Sequence, residues 1–174
     1  MPYTELLRTT VFLIAAEATA LGAITAIAAA RDADTAAILF AAAWWLAALA
    51  IGLYLGRPAR AVDGVRDALA RARTATSLPD ETAARIAVGR LWPIGLSAIA
   101  AGALGVLFPG VAAVGAGYAL LVALMLRTRE AAVLGVEHRD GVRFYVVPGS
   151  ALRPIELVRT PGLRSDRLSR PEAA

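Results

Sequence analysis

The chain has no cysteine and no lysine, and its one histidine is His138. Without cysteine it cannot form disulfides, thiolate nucleophiles or cysteine-ligated metal sites. One histidine is too few for a histidine-based metal centre. We therefore expect no metal, no cofactor and no enzymatic activity, and no phosphate-binding loop or nucleophile motif suggests otherwise.

Charge is scarce in two long stretches, residues 11–55 and 91–126, although the chain as a whole carries 18 arginines. Hydrophobic residues make up 58% of the sequence and are concentrated in these stretches. A soluble domain is about 45–50% apolar, with charged residues interspersed. The pattern indicates an integral membrane protein.

The apolar runs are long enough to cross a bilayer, because a helix of about 20 apolar residues spans the hydrocarbon core. We predict an all-α membrane protein in which residues 1–130 form four transmembrane helices, arranged as two tight hairpins. Asp34 is the predicted N-cap of the second helix. The predicted spans are about 9–30, 35–55, 86–108 and 110–129.

A cleaved signal peptide is an alternative for the first run, since Arg8 precedes an apolar stretch that ends in Ala28, Ala29 and Ala30. The acidic Glu5 and Glu17 are atypical of such a peptide. Both interpretations leave the other spans unchanged.

The predicted cytoplasmic connection, residues 56–85, contains an amphipathic helix at about residues 59–75. Ser77 and Asp80 then have the spacing of a capping box, which predicts that the next helix begins near Leu78. The pI of about 10.3 would also suit a nucleic-acid binder, but no face interleaves arginine with aromatic residues, so we expect no nucleic-acid partner. The arginines assigned to membrane lipid or a protein partner are Arg60, Arg66, Arg71, Arg73 and Arg90.

The chemistry of the sequence changes after Glu130. Residues 131–160 are predicted to form a small C-terminal cytoplasmic β-hairpin, with Asp140-Gly141 as its turn. In that register Val136 would face Tyr145, and residues 155–158 would add a short edge strand. Residues 161–174 are polar and arginine-rich, and we predict a disordered tail.

The arginines also predict the orientation of the chain. Seventeen of them lie on one side if both termini and the central segment share that side, whereas only Arg31 lies on the other. The positive-inside rule then places both termini in the cytoplasm of a bacterial cell, with the protein multi-pass in the plasma (inner) membrane.

Glu17 is the one ionisable residue deep in a predicted span. Counting of positions places Ser97, Tyr118 and Trp45 at a similar depth, as intramembrane polar partners. A helix–helix hydrogen bond that fixes packing is one interpretation, and ion or proton movement is another. We expect a non-enzymatic accessory or scaffold protein that contacts a protein partner, a second copy of itself or anionic lipid. The alternative is a small oligomeric transporter or channel that uses Glu17.

Overall fold

A computed structural model of the protein describes residues 1–32, 34–74 and 82–161. Most of the described chain is helical, with three short strands in one sheet of order β1-β3-β2. The helices are α1 (Tyr3–Asp32), α2 (Thr35–Leu55), α3 (Pro58–Ala70), α4 (Ala83–Leu107) and α5 (Pro109–Asp140). The strands are β1 (Arg73–Thr74), β2 (Val142–Val146) and β3 (Leu157–Pro161).

Four of the helices, α1, α2, α4 and α5, are long and apolar enough to cross a membrane, as predicted, and are compatible with a multi-pass membrane protein. The sequence explains where several of the helices begin. The Asp34 carboxylate accepts hydrogen bonds from the backbone N–H groups of Ala36 and Ala37, at 3.0 and 3.1 Å, and so caps α2 as predicted. Pro58 and Pro109 each stand in the first turn of their helix, where a missing N–H costs nothing.

Helix α5 is longer than its predicted span, and the predicted β-hairpin across Asp140-Gly141 is wrong. The helix continues to Asp140 and ends at Gly141, which has φ 63° and donates its N–H to the Glu137 carbonyl. An Asp-Gly pair suits a left-handed helix cap as well as a hairpin turn. His138 and Arg139 in the last turn favour the helix, because cations stabilise its C-terminal dipole. Strand β2 pairs antiparallel with β3 instead, so Tyr145 is opposite Val158.

Two further boundaries differ from those predicted. Helix α3 ends at Ala70, and Arg73, which was assigned to the amphipathic helix, lies on β1 and pairs with Val158. The strand predicted at residues 155–158 is found at Leu157–Pro161, and it is the central strand of the sheet rather than an edge. The capping box at Ser77 and Asp80 and the tail from residue 162 lie outside the described residues; α4 begins after Thr82.

The main hydrophobic core lies at one end of the helices, outside the spans. It brings together the start of α1, helix α3, the start of α4, the C-terminal part of α5 and the sheet. We call this part, residues 1–8, 57–74, 82–90 and 130–161, the head. The buried residues of this core are Tyr3, Leu6, Leu7, Val65, Ile86, Val133, Val142, Phe144, Val146 and Leu157. Cleavage after Ala30, as a signal peptide would require, would remove Tyr3, Leu6 and Leu7 from this core.

Within the spans, α5 lies against α1, α2 and α4. Small residues allow the close approaches: a Cβ placed on Gly105 would lie 2.7 Å from the Cβ of Ala112. Large apolar side chains such as Phe40, Leu46 and Ile99 point outward and are more than half exposed in the bare protein, as lipid-facing side chains should be. Helix α5 is 32 residues long, or about 48 Å, so its C-terminal part extends beyond a hydrocarbon core of about 30 Å into the head.

Candidate functional sites in the spans and the head

Glu17 is half-buried in α1, on the helix face that also carries Ile14 and Leu21. Ile14 and Leu21 are buried against α5, at Ala119 and Ala116 respectively. Within the part of the chain that the structure describes, the Glu17 carboxylate has no hydrogen bond or ion pair. Glu17 therefore lies beside the contact between α1 and α5 but adds no described polar interaction to it.

The other predicted intramembrane polar residues have partners of their own. Ser97 is exposed, and its hydroxyl donates to the Ile94 carbonyl of the same helix at 2.8 Å. The indole of Trp45 donates to the Ala113 carbonyl on α5 at 2.9 Å. The Tyr118 ring packs against Trp44, with the ring centroids 5.9 Å apart. Among the described residues, none of these three groups has a hydrogen bond to Glu17, and whether Glu17 has a function stays a prediction.

Trp44 packs against α5, a partner helix that the sequence did not identify. Its indole N–H donates to the Val114 carbonyl at 3.1 Å, beside the bond from Trp45 to Ala113. Two adjacent tryptophans of α2 thus bind two adjacent carbonyls of α5, and Gly117 makes the space for Trp44. A tryptophan pair deep in a span was a signal of helix packing, but its partner helix could not be read from spacing.

The arginines assigned to lipid or partner contact fall into two groups. Arg66 and Arg73 are exposed on the head, and Arg71 is exposed with its Nε donating to the Asp67 backbone carbonyl at 2.9 Å, rather than pairing with the Asp67 carboxylate. Arg60 contacts Tyr54, as described below. These four guanidinium groups remain on the surface.

Arg90 is different, because it connects two parts of the head. One of its terminal nitrogens donates to the Arg153 carbonyl at 2.8 Å, and a Cβ on Gly149 would lie 2.9 Å from the other. The Ala151 N–H donates to the Gly89 carbonyl at 3.1 Å, so the loop between β2 and β3 is fixed to the start of α4. The Arg90 Nε is buried and has no hydrogen-bond partner among the described residues. The sequence could not reveal this role, since the partner is 63 residues away.

The outer edge of β2 is closed by other parts of the head. The Val146 N–H donates to the Met1 carbonyl at 3.0 Å, and Pro2 forms a β-bridge with Tyr145. The Phe144 N–H donates to the Glu137 carboxylate at 3.0 Å. Edge N–H groups that already have acceptors cannot pair with another strand. The other edge, β1, is two residues long and exposed.

The described residues also line two open cavities. One of about 350 Å³ in the head is lined by charged side chains of both signs, including Glu5, Arg8, Glu130, Glu137 and Arg143. The other, about 280 Å³, lies between α1, α2 and α5 near Asp32 and Asp34. Among the described residues, no three carboxylate or histidine side chains are grouped as metal ligands would be, and His138 is exposed at the end of α5.

Tyr54, at the end of α2, contacts two arginines of the head. The guanidinium carbons of Arg57 and Arg60 each lie 4.5 Å from the centroid of the Tyr54 ring. Arg60 also donates to the Tyr54 hydroxyl at 3.2 Å. Sequence reasoning selected Arg60 but not Arg57 or the ring that holds both; the Tyr-x-x-Arg-x-x-Arg spacing across a helix break was the available signal.

No protein-family model, no curated protein and no solved structure matches the chain.

Proposed function

We propose that the protein is a non-enzymatic scaffold or accessory subunit of a bacterial plasma membrane, whose head meets a protein partner or anionic lipid at the cytoplasmic surface. The four apolar helices anchor it, as two hairpins with both termini in the cytoplasm. The seventeen arginines on the side of the head, against Arg31 on the other, support this orientation.

The observation that carries the proposal is the head core. It joins segments from the beginning, middle and end of the chain, so the head and all four spans form one packed unit. The head buries large side chains: Val133 and Val146 have no exposed surface, and Ile86 and Phe144 are 2% exposed. A rigid head on a membrane anchor suits a protein that presents a surface rather than one that moves a substrate.

The head has a limited choice of contact surfaces. Because β2 is closed, strand addition to the described sheet is open only along the two residues of β1. The loop between β2 and β3 presents Leu152, which is 83% exposed, and Ile155. Exposed apolar side chains held by a fixed loop are typical contact points for a partner. We propose this loop as the main partner contact.

A single-cysteine experiment tests both orientation and contact, since the chain has no cysteine of its own. Leu152→Cys should react with a membrane-impermeant maleimide only after the cells are permeabilised. Asp32→Cys, at the last residue of α1 beside the short connection to α2, should react in intact cells. With a photo-crosslinking maleimide, Leu152→Cys should give an adduct of defined mass that Asp32→Cys does not give.

The two outcomes can be separated. Labelling of Leu152→Cys in intact cells would contradict the orientation. Labelling from the cytoplasmic side that yields only the uncrosslinked chain would contradict the partner contact and leave the orientation in place.

The second candidate function is a small oligomeric transporter or channel. One observation favours it: Glu17 is half-buried in a span and has no polar partner within the described residues. A carboxylate in a membrane costs roughly 2.5–3.5 kcal/mol on insertion scales, so such residues commonly serve ion or proton movement.

Replacement of Glu17 by glutamine tests this candidate. If Glu17 carries protons or cations, vesicles with the wild-type protein should show flux, and Glu17→Gln should reduce it to the level of protein-free vesicles. Ser97→Ala is the matched control, since the Ser97 hydroxyl is occupied within its own helix. Equal flux from wild type and Glu17→Gln would eliminate this function.

A further inference from the structure

The Tyr54 ring and the guanidinium groups of Arg57 and Arg60 form a compact cationic cluster where α2 meets α3. Both guanidinium groups are within cation–π distance of the ring. The bond from Arg60 to the Tyr54 hydroxyl fixes one of them further. Two side chains that are ordinarily free to move are therefore held together, which lowers the entropy cost of binding one ligand with both.

The backbone places this cluster at the boundary between span and head. A Cβ on Gly56 would lie 3.1 Å from the Thr128 hydroxyl of α5, so the end of α2 is fixed against the end of the fourth span. Arg57 precedes Pro58 and has the extended conformation that this position imposes, with φ −61° and ψ 141°. A tyrosine at a span end is at the level of the lipid headgroups.

The charges around the cluster favour an anion. Within the described part of the chain, no carboxylate is paired with Arg57 or Arg60. Arg60 uses one N–H on Tyr54, which leaves donors on both guanidinium groups, and guanidinium matches phosphate in a bidentate manner. No side chain caps the N-terminus of α3 beside them, and a helix N-terminus adds positive potential.

We propose that Tyr54, Arg57 and Arg60 bind the headgroup phosphate of an anionic phospholipid in the cytoplasmic leaflet. The proposal rests on the proposed function, because it places the head on that leaflet and names one lipid contact. The tyrosine holds the two arginines at headgroup depth, and the arginines supply the donors. The site would fix the angle at which α3 leaves the membrane.

Native mass spectrometry of the full chain in mild detergent tests the site, with phosphatidylglycerol and phosphatidylcholine of identical acyl chains as probes. Wild type should retain phosphatidylglycerol in preference to phosphatidylcholine. A basic residue near an anionic leaflet contributes roughly fivefold in affinity, so Arg57→Gln with Arg60→Gln should reduce retention roughly thirtyfold. Tyr54→Phe, which keeps the ring and loses one hydrogen bond, should reduce it by only roughly threefold.

The matched control is Arg143→Gln with Arg159→Gln, which removes the same charge from exposed positions on the sheet. It should leave retention unchanged. Equal retention by wild type and the Arg57/Arg60 variant, or equal retention of the two lipids, would overturn the site. Displacement of the lipid by millimolar inorganic phosphate would reassign it to free phosphate. The Leu152 crosslink does not use these arginines, so its persistence would show that the scaffold function survives.

Discussion

Phe144→Ala should unfold the head, with a loss of about 3–5 kcal/mol in the free energy of unfolding. Phe144 is 2% exposed on β2 and lies in the core that joins α1, α3, α4, α5 and the sheet. Replacement of a buried phenylalanine removes its transfer free energy and leaves a cavity that the surroundings fill only in part. The core draws on distant segments, so the damage should spread to the start of α1.

Limited proteolysis and thermal unfolding in mild detergent measure this effect. The matched control is Phe40→Ala on α2. Phe40 is also a phenylalanine, but its side chain is 58% exposed and lies outside the head core. Phe40→Ala should leave the head resistant to protease. If Phe144→Ala proved as resistant and as heat-stable as wild type, the head core would not be the stabilising unit described above.

The sequence predicted the membrane-spanning helices well because their signal is local. Length and apolar composition alone identify α1, α2, α4 and α5, and the Asp34 cap follows from one side chain and the two N–H groups beside it. Such features depend on neighbours within a few residues. Tertiary structure has little opportunity to override them.

The head was poorly predicted because its structure depends on distant contacts. Asp140-Gly141 permits both a hairpin and a helix end, and the packing of Val133 in the core favours the helix. Arg73 has no periodic strand signal, and it joins the sheet only because β3 supplies a partner 85 residues later. No spacing rule gives either result.

The candidate site residues show the same difference between local signals, which the sequence reveals, and distant contacts, which it does not. Glu17 was visible as an acid in a span, and Arg60 was visible as part of a basic segment. Their surroundings were not visible: Trp45 and Tyr118 contact other residues and have no described hydrogen bond to Glu17, and Arg90 donates to the Arg153 carbonyl of a loop. Whether two side chains on different helices meet depends on the rotation of each helix about its axis and on the depth of each residue in the membrane. Counting positions in a sequence gives the depth but not the rotation.

Gly117→Ala should separate α2 from α5 near Trp44. A Cβ at Gly117 would fall on the Trp44 indole nitrogen, which donates to the Val114 carbonyl. The indole must then move, and its N–H would lose its acceptor in a region without water. Overpacking of this kind typically costs about 1–3 kcal/mol. We therefore expect a lower melting temperature in detergent and a changed tryptophan fluorescence spectrum.

Gly102→Ala is the control, because a Cβ at Gly102 meets nothing within 4 Å, and alanine in a helix stabilises by reducing the entropy of the unfolded chain. Trp44→Ala should remove the clash, so Gly117→Ala should cost much less in that background than in wild type; the difference is the coupling free energy. An equal cost in both backgrounds would mean that Gly117 serves something other than the tryptophan. A strong coupling would show that the Trp44–Gly117 contact helps to hold α2, whose contacts with α1 are few, against α5.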